Sequence, residues 1–372
     1  MSYALTEEQQ LIKQSVRDFA LEFVTPAAAE IDNSGDYPED VVRMMAEHDF
    51  LGLFLPAEFN GAEAGYLSYI LAVEELSRVS GGVASILIQH ASFVAYAINR
   101  WGSPQQKEKY LPAMCQGDKL GAFALNDPAA VIAGKEGDGY VLNGCKSYVA
   151  NAGAAGVYIV FALTNPEAGP KKGMSAFLVD AETPGLTVGR QVEKMGLRGC
   201  QSAEVTFENV RLSQESLLGS EDAGLVIATE TLAVGNIAAG AQMVGIAQAA
   251  MEDAAKYAKQ RVQFGRPIAK FPAIQTMLAE MAANIHLARL AIYNAAQLIE
   301  KGEPVMTEAA IVKFSVSRIG QNALIDAVQI EGGYGYSEEM PVSRFYRDVK
   351  GTAIMDSSLE FPEKVIADSV LE

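Results

Sequence analysis

The chain has 372 residues, 49% of them hydrophobic, and a formal net charge of −17. This length allows two or three domains with large cores, and the acidic balance disfavours binding to nucleic acid or to anionic membrane surfaces. There are three cysteines without a CxxC pair, no basic and apolar leader, and no apolar run approaching about 18 residues, so we expect a reduced, cytoplasmic protein without a membrane partner.

The first 120 residues have a helical pattern. Thr6 and Gln9 form a potential capping box ahead of apolar positions that include Val16 and Phe19. The same style of sequence continues without a β-rich run. An N-terminal helical domain is therefore predicted at residues 1–120.

Short β-rich runs follow over residues 121–225. The clearest lie at residues 140–142, 157–161, 176–179 and 204–207, and Asn143-Gly144 is a turn signal between two of them. These spacings predict a middle domain built on a small antiparallel sheet.

Residues 226–372 return to a helical pattern. Apolar residues alternate at spacings of three and four, which is typical of a helix bundle. The members of this seam are Phe271, Ile274, Leu278, Met281, Ile285, Ala288, Ile292, Ala295 and Ile299. Residues 226–372 are predicted to form a C-terminal four-helix bundle, and the fold class predicted for the whole chain is α+β.

Several common sites are absent from the sequence. No Walker lysine motif is present, and no G-x-G-x-x-G follows a strand. The three histidines, His48, His90 and His286, are far apart, and no metal spacing or Ser-His or Cys-His hydrolase arrangement is found. We expect no metal.

Three motifs in the last third of the chain are informative because of their order. They are Arg-Val-Gln-Phe-Gly at 261–265, Gln-Ile-Glu-Gly-Gly-Tyr-Gly at 329–335, and Arg-Asp-Val-Lys at 347–350 running into Ile-Met-Asp-Ser-Ser at 354–358. The chain also has a helical part, a sheet and a helix bundle in that order. Together with the three motifs, this order makes nearly the whole chain resemble the acyl-CoA dehydrogenase family. The resemblance implies FAD as cofactor, an acyl-CoA substrate and a homotetramer.

The resemblance implies that the first two motifs contact the pyrophosphate and adenine side of an FAD molecule that is bound to a neighbouring subunit. A guanidinium such as that of Arg261 can pair with two phosphate oxygens, and glycine lets the backbone approach a cofactor closely. An alternative for Gly332 and Gly333 is a helix C-cap with a turn. The residues implied are Arg261, Gln263, Phe264, Gln329, Gly332, Gly333 and Ser358.

The resemblance also implies that residues 123–128 cradle the flavin ring and that residues 148–151 stack an aromatic side chain on it. The family usually has Thr or Ser at positions 126 and 150, and Ala150 cannot donate a hydrogen bond. The usual Gly-Ser-Asp loop is also missing, and the connection at 129–137 is several residues shorter. The residues implied are Phe123, Leu125, Asn126, Tyr148 and Ala150.

Asp356 is the residue that the resemblance assigns as the catalytic base. Most members have Glu there, which removes the α-proton while hydride leaves the β-carbon for flavin N5. The shorter side chain withdraws the oxygen by about an ångström, which can slow the reaction ~100-fold unless the substrate sits closer. Glu230 is a weak rival, and Gly235, where some members carry the base, cannot serve. Alternatively, Asp356 caps the last helix with Ser357 and Ser358.

Residues 89–96 match the stretch that floors the acyl pocket in the family. Phe93 and Tyr96 stand where smaller residues are frequent, which favours a short or compact acyl group. Both residues are equally compatible with an ordinary helix core. The substrate-side residues implied are His90, Phe93, Val94, Tyr96, Asn236 and Tyr334.

The function implied is α,β-dehydrogenation of a short or cyclic acyl-CoA thioester, with electrons passed to an electron-transferring flavoprotein. The same enzyme running in reverse would be an enoyl-CoA reductase. Two alternatives remain open: a flavin oxidase of the same fold, similar to nitroalkane oxidase, and a non-catalytic binding protein.

Overall fold

The computed structural model describes residues 5–127, 130–354 and 360–371. The N-terminal part is helical, as predicted. Its helices are α1 (Glu7–Phe19), α2 (Ala28–Ser34), α3 (Glu39–Glu47), α4 (Tyr66–Ser77), α5 (Gly81–Ile88), α6 (Tyr96–Trp101) and α7 (Pro104–Cys115).

The predicted capping box is confirmed at the start of α1. The Gln9 N–H donates to the Thr6 hydroxyl at 3.2 Å, and the Thr6 N–H donates to Gln9 Oε1 at 3.0 Å. These two bonds satisfy donors that a helix start leaves unpaired.

The middle part consists of strands. They are β1 (Leu120–Ala124), β2 (Val131–Glu136), β3 (Gly139–Ala150), β4 (Ala155–Leu163), β5 (Met174–Asp180), β6 (Leu186–Gln191), β7 (Ser202–Ser213) and β8 (Leu217–Leu218). They form one sheet in the order β6-β7-β3-β2-β4-β5-β8, and β1 adds to it by pairing with β4. The pairing of β1 with β4 is parallel, unlike the antiparallel pairs that dominate the sheet.

The sheet is held between two cores. Alternate residues of β4 point to opposite faces. Val157 and Ile159 join the core shared with the helices, whereas Tyr158 and Val160 join a second core on the far side of the sheet. Burial on both faces explains why β4 is an unbroken apolar run.

The prediction of a turn at Asn143-Gly144 was wrong. The hairpin between β2 and β3 turns at Gly137, which has φ +60°, and Glu136 pairs with Gly139. Gly144 instead sits at a register shift inside β3, where an added Cβ would lie 2.0 Å from the carbonyl oxygen of Ala130. Glycine is required there for close approach of two strands, which sequence alone does not distinguish from a turn.

The C-terminal part is again helical. Its elements are α8 (Gly224–Gln260), the short strands β9 (Val262–Gln263) and β10 (Arg266–Pro267), α9 (Pro272–Glu300), α10 (Met306–Ile311), α11 (Ser317–Glu331), α12 (Pro341–Ile354) and α13 (Glu360–Leu371). In the predicted seam of α9, Met281, Ile285 and Ala288 are buried, whereas Ile274 and Leu278 are only half-buried.

Two helices are long and apolar enough to cross a membrane. They are Gly81–Trp101, which joins α5 and α6 through a π-helical segment (Gln89–Ala95), and α8. The most apolar stretch of 18 residues in each helix is 94% buried in Gly81–Trp101 and 72% buried in α8. Core helices of this kind carry the residues of the candidate site.

The three parts are tied together at α12. Arg347 forms a bidentate ion pair with Asp32 of α2, and one of its two N–O contacts is 2.9 Å. The neighbouring Asp348 accepts the N–H of Leu197 at 2.6 Å, in the segment between β6 and β7. The Arg-Asp motif therefore joins the N-terminal, middle and C-terminal parts.

Candidate active site

The predicted dinucleotide residues meet where α8 and α11 end. A pocket of about 530 Å³ lies there, and it contains Arg261 and Gln263 from one side and Gly332 and Gly333 from the other. Gln329 is exposed on the last turn of α11 but does not line this pocket. We call this cavity the dinucleotide pocket.

Tyr334 was predicted on the substrate side, but the structure places it in the dinucleotide pocket. Its ring lies 6.2 Å from that of Tyr257, and it is half exposed. The chain turns back after Gly333, which carries Tyr334 towards the end of α8. Tyr334 directly follows Gly333 in the chain, and this places it in the dinucleotide pocket rather than beside Phe93.

Gly332 and Gly333 face open space. An added Cβ would meet no atom of the described residues within 4 Å at either position, so packing against those residues does not require glycine. Gly332 is the C-cap of α11, with φ +63°, and its N–H donates to the carbonyl of Val328. The C-cap alternative is therefore right for Gly332, and it leaves the open side free for a ligand.

Phe264 is the most exposed large apolar side chain near this pocket. It is 92% exposed at φ +50°, in the turn between β9 and β10. Its ring makes an edge contact with Phe271 at 6.3 Å, and Arg266 lies over the Phe271 ring. A projecting aromatic group of this kind is typical of a surface that contacts another molecule.

On the flavin side, Tyr148 projects from the end of β3. The pairing of β3 with β7 shifts register between Lys146 and Val149, and Tyr148 has φ +54° with 65% of its surface exposed. Such a bulge redirects a side chain out of the sheet. Tyr148 is thus free to stack on a planar ring.

The neighbouring flavin-side residues are held by local hydrogen bonds. The Asn126 amide donates to the Ser147 carbonyl at 3.3 Å, and the Ser147 hydroxyl donates to Asp127 at 2.7 Å. Leu125 and Ala150 are half-buried against the helical core. Asn126 is therefore occupied in a contact that fixes residues 126 and 147 together.

Phe93 lies in the core and fills the space above Gly235. It is 1% exposed, and a Cβ on Gly235 would lie 2.1 Å from its ring. The Phe93 ring also packs on the Phe123 ring, with 5.3 Å between the ring centroids, and this contact connects the π-helical segment Gln89–Ala95 to β1. The neighbouring Asn236 on α8 is buried as well. The structure thus brings Phe93, Phe123 and α8 together.

His90 and Val94 support β1 from the same π-helical segment. The N–H of Gly121 donates to His90 Nδ1 at 3.3 Å, and an added Cβ on Gly121 would lie 2.4 Å from Val94. Burial lowers the pKa of His90 to about 4, so its imidazole is neutral. The structure brings His90 and Val94 to β1 and not to the pockets at Tyr96 and Arg261.

Tyr96 lines a second pocket, of about 700 Å³, beside the start of α8. The Tyr96 hydroxyl donates to Glu230 at 3.1 Å, and Arg100 Nε donates to the same carboxylate at 2.9 Å. We call this cavity the Tyr96 pocket. Most of its remaining wall is apolar: Leu225, Val226, Ala233, Ile299, Pro304, Val305 and Met306.

Sequence reasoning missed Arg100 and the connection between α9 and α10 as parts of this pocket. Glu230 was considered only as a rival base, and the structure shows it paired with Arg100 instead. The connection lies about 70 residues beyond Glu230 in the chain, so only the tertiary fold brings them together. The spacing of Tyr96 and Arg100, one helical turn apart, was the available signal.

The predicted base Asp356 and the predicted cofactor residue Ser358 lie outside the described residues. The preceding helix, α12, is described to Ile354, and its Arg347 and Asp348 are fixed as given above. Glu230 is half-buried, and its carboxylate is already engaged by the Tyr96 hydroxyl and by Arg100.

The residues fit an FAD molecule at both of its ends. Open space beside Gly332 and Gly333 with Arg261 nearby suits a diphosphate, and the projecting Tyr148 suits a planar ring. Within the described residues no group of three His, Cys, Asp or Glu side chains is placed to hold a metal ion.

Two curated relatives are similar to nearly the full chain. An acyl-CoA dehydrogenase of Bacillus subtilis (strain 168) is 42% identical over 99% of both chains. A 3-(aryl)acrylate reductase of Clostridium sporogenes (strain ATCC 15579) is 40% identical, also over 99% of both.

Solved structures give the same result. The butyryl-CoA dehydrogenase of Megasphaera elsdenii is 39% identical with a TM-score of 0.97, and 100% of each chain is covered. A chain described with the electron transferring flavoprotein of Acidaminococcus fermentans has the same identity, TM-score and coverage. An acyl-CoA dehydrogenase of Bacillus anthracis complexed with FAD is 29% identical with a TM-score of 0.92, over 99% of this chain and 67% of that one.

Family models match all three parts of the chain. The N-terminal, middle and C-terminal domains of acyl-CoA dehydrogenase match residues 6–118, 121–210 and 222–371. The predicted fold, enzyme class and FAD cofactor are confirmed at the level of this family. The chain belongs to the acyl-CoA dehydrogenase family.

Proposed function

We propose that the protein is an FAD-dependent dehydrogenase of a short or compact acyl-CoA thioester. The observation that carries the choice of acyl group is the Phe93 ring above Gly235, because it occupies space that a longer acyl chain would need. A core packed this closely does not open without loss of contacts. The bulk of Phe93 therefore favours a substrate with a small acyl end.

The Tyr96 pocket is the proposed entrance for the thioester. It lies one helical turn from Phe93 and shares α8 with Gly235. Its apolar wall suits the uncharged arm of a CoA ester, and the charged groups Arg100, Glu230 and Glu303 lie at its side. The ion pair with Glu230 holds the Arg100 side chain in place.

We assign the α-proton abstraction to Asp356, as the resemblance implies. The proton moves to the Asp356 carboxylate, the hydride leaves the β-carbon, and an α,β double bond forms. FAD, when bound, accepts this hydride. Tyr148 and the local contacts at Asn126 and Ser147 orient the ring-binding edge of the sheet.

The two ends of the cofactor site lie far apart in one chain, which supports an oligomer. The flavin-side residues pack near Gly235, whereas the dinucleotide pocket adjoins Tyr257 on the same helix. The 22 residues between them span about 33 Å of α-helix. One FAD would then contact two chains, and the resemblance makes the assembly a homotetramer.

The proposed electron partner is an electron-transferring flavoprotein, supported by the chain described with such a flavoprotein. The relative named 3-(aryl)acrylate reductase supports the reverse direction as an alternative physiological use of the same site. The cytoplasmic location stays a prediction.

The test is an anaerobic titration of the purified holoprotein with butyryl, isobutyryl, glutaryl, cyclohexanecarboxyl, cyclohexenecarboxyl, phenylpropionyl and octanoyl CoA. We expect loss of the flavin absorbance band with a short or cyclic ester and little change with octanoyl-CoA. A flavin that no ester bleaches, in protein that consumes oxygen with another substrate, would support the oxidase. Protein that binds no FAD would support the binding protein.

A further inference from the structure

Glu331 is a buried acid at the floor of the dinucleotide pocket. It is the last residue of α11, directly before Gly332, and it lines the pocket with Arg261 and Gln263. It is only 1% exposed, and neither carboxylate oxygen has a hydrogen-bond partner among the residues that the structure describes. Buried polar atoms without a partner are rare and call for a ligand or a proton.

A second carboxyl group lies beside Glu331. Asp253 on α8 also has a buried oxygen, Oδ2, for which the described part of the chain supplies no hydrogen-bond partner. Burial, and next the charge of Asp253, raise the pKa of Glu331 to about 7, and burial raises the pKa of Asp253. Two neighbouring carboxyls resist simultaneous ionisation, so the pair retains a proton near neutral pH.

The other charged and titratable groups that line the two pockets beside the pair come from several elements. In the dinucleotide pocket they are Tyr257 on α8, Arg261 after it, and Tyr334 and Glu339 in the turn after α11. In the adjoining pocket, which Asp253 lines, they are Glu252 and Lys256 on α8, Arg17 on α1, Glu75 on α4, Arg78 after α4, and Arg344 on α12. Arg261 is thus the cation that lines the dinucleotide pocket, among the residues that the structure describes there.

We propose that the proton held by Glu331 and Asp253 controls the affinity of this pocket for the diphosphate of FAD. With the pair protonated, no buried negative charge opposes Arg261 at the diphosphate among the described residues that line the pocket; the other acid there, Glu339, is exposed. With the pair ionised, a buried negative charge lies beneath the same anion and weakens its binding. This inference rests on the proposed function, since it assumes that FAD occupies the pocket.

The expected pH dependence follows from the direction of the pKa shift. A carboxyl whose pKa is raised is protonated at low pH, so FAD is held tightly below pH 6. Its affinity falls as pH rises through 7, by about 5–150-fold, the usual range for coupling between two sites. FAD binding in turn raises the pKa of Glu331, because linkage is reciprocal.

The test measures release of FAD from the holoprotein by the fluorescence of free flavin between pH 5.5 and 8.5. Glu331→Gln removes the charge but keeps the shape, and we expect tight binding without the slope. Glu339→Gln, in the same pocket, is the control and should keep the slope. Asp253→Asn should move the slope to lower pH, because it removes the like charge that raises the pKa of Glu331.

Different results contradict different claims. A slope that persists in Glu331→Gln, or wild-type protein whose FAD affinity does not change with pH, overturns this inference and leaves the proposed function standing. Wild-type protein that binds no FAD at any pH overturns both. If Glu331→Gln fails to fold, Asp253→Asn alone decides: an unshifted slope rejects the pair.

Discussion

The Phe93 ring and Gly235 occupy complementary positions: a Cβ at residue 235 would stand 2.1 Å from the ring. The two residues come from different helices, and the Phe93 ring fits where it does only because residue 235 has no side chain. The large Phe93 side chain on the helix Gly81–Trp101 packs against α8 at a position where glycine leaves room for it. This pair sets the size of the space where the acyl group is proposed to end.

Phe93→Ala should admit a longer acyl chain. We expect kcat/KM for octanoyl-CoA to rise relative to butyryl-CoA, and the protein to lose about 3–5 kcal/mol of stability, as large-to-small core changes do. Steady-state kinetics with both esters and urea unfolding measure the two effects. Phe177→Ala, buried in the core on the far side of the sheet, is the control; it should lose stability without any change in chain-length preference. An unchanged preference in Phe93→Ala would reject the acyl-end assignment.

Gly235→Ala should be disruptive only while Phe93 is present. The added methyl meets the ring, so we expect a loss of about 1–3 kcal/mol in the wild-type background, as overpacking usually costs. In a Phe93→Ala background the same change should be close to neutral. Urea unfolding of the four proteins gives the coupling energy directly. Equal effects in both backgrounds would show that the contact is not decisive.

Asp356→Asn should slow flavin reduction by ~100-fold or more while FAD and acyl-CoA still bind. Asp356→Glu should give no gain, because a pocket adapted to the shorter side chain places the longer carboxylate badly. Stopped-flow absorbance of the flavin band measures both rates. Glu230→Gln is the matched comparison: it should disturb Arg100 and binding, and a larger loss of reduction rate there than in Asp356→Asn would move the base to Glu230.

Tyr148→Ala should weaken FAD binding, because its exposed ring is the aromatic surface that we propose stacks on the flavin. Stacking contacts of this kind contribute about 0.5–1.5 kcal/mol, which corresponds to roughly 2–12-fold in Kd. Fluorescence titration of deflavinated protein gives the affinity. Ile132→Ala, a half-exposed residue on another strand of the sheet, should leave it unchanged. Equal affinities of Tyr148→Ala and wild type would place the flavin elsewhere.

Arg347→Met should destabilise the protein by about 3–5 kcal/mol, because it leaves Asp32 buried without its partner. The double variant Asp32→Asn with Arg347→Met should recover part of that loss. Denaturant unfolding checks both. The comparison is Arg190→Met, whose ion pair with Glu193 is almost fully exposed and should change stability by less than about 1 kcal/mol. Similar losses for the two arginine variants would contradict a structural role for the motif.

Much of the fold follows from local patterns in the sequence. The capping box at Thr6 and the buried β4 run depend on neighbours within a few residues, and both are present as predicted. Gly144 was misread because a turn glycine and a bulge glycine have the same local signature. What separates them is the carbonyl of Ala130 on the paired strand, a tertiary contact.

The candidate site was likewise predictable where the sequence carries a motif, and not where a contact depends on the tertiary fold. Motif residues such as Arg261 and Gly332 were placed together by resemblance, and the structure gathers them in one pocket. The Arg100 and Glu230 pair was not foreseen, because its members lie 130 residues apart. The sequence did not single out Glu331 inside the glycine motif, because only the fold shows that its carboxylate is buried and finds no partner among the described residues.

The contacts of α12 bear on how the protein melts. Arg347 fastens this helix to α2, and Asp348 fastens it to the segment before β7, so α12 cannot leave its place without breaking contacts to both other parts. Elements coupled by such contacts tend to unfold as one cooperative unit. Heating should therefore produce one calorimetric transition for the three domains, and weakening Asp32 should split it.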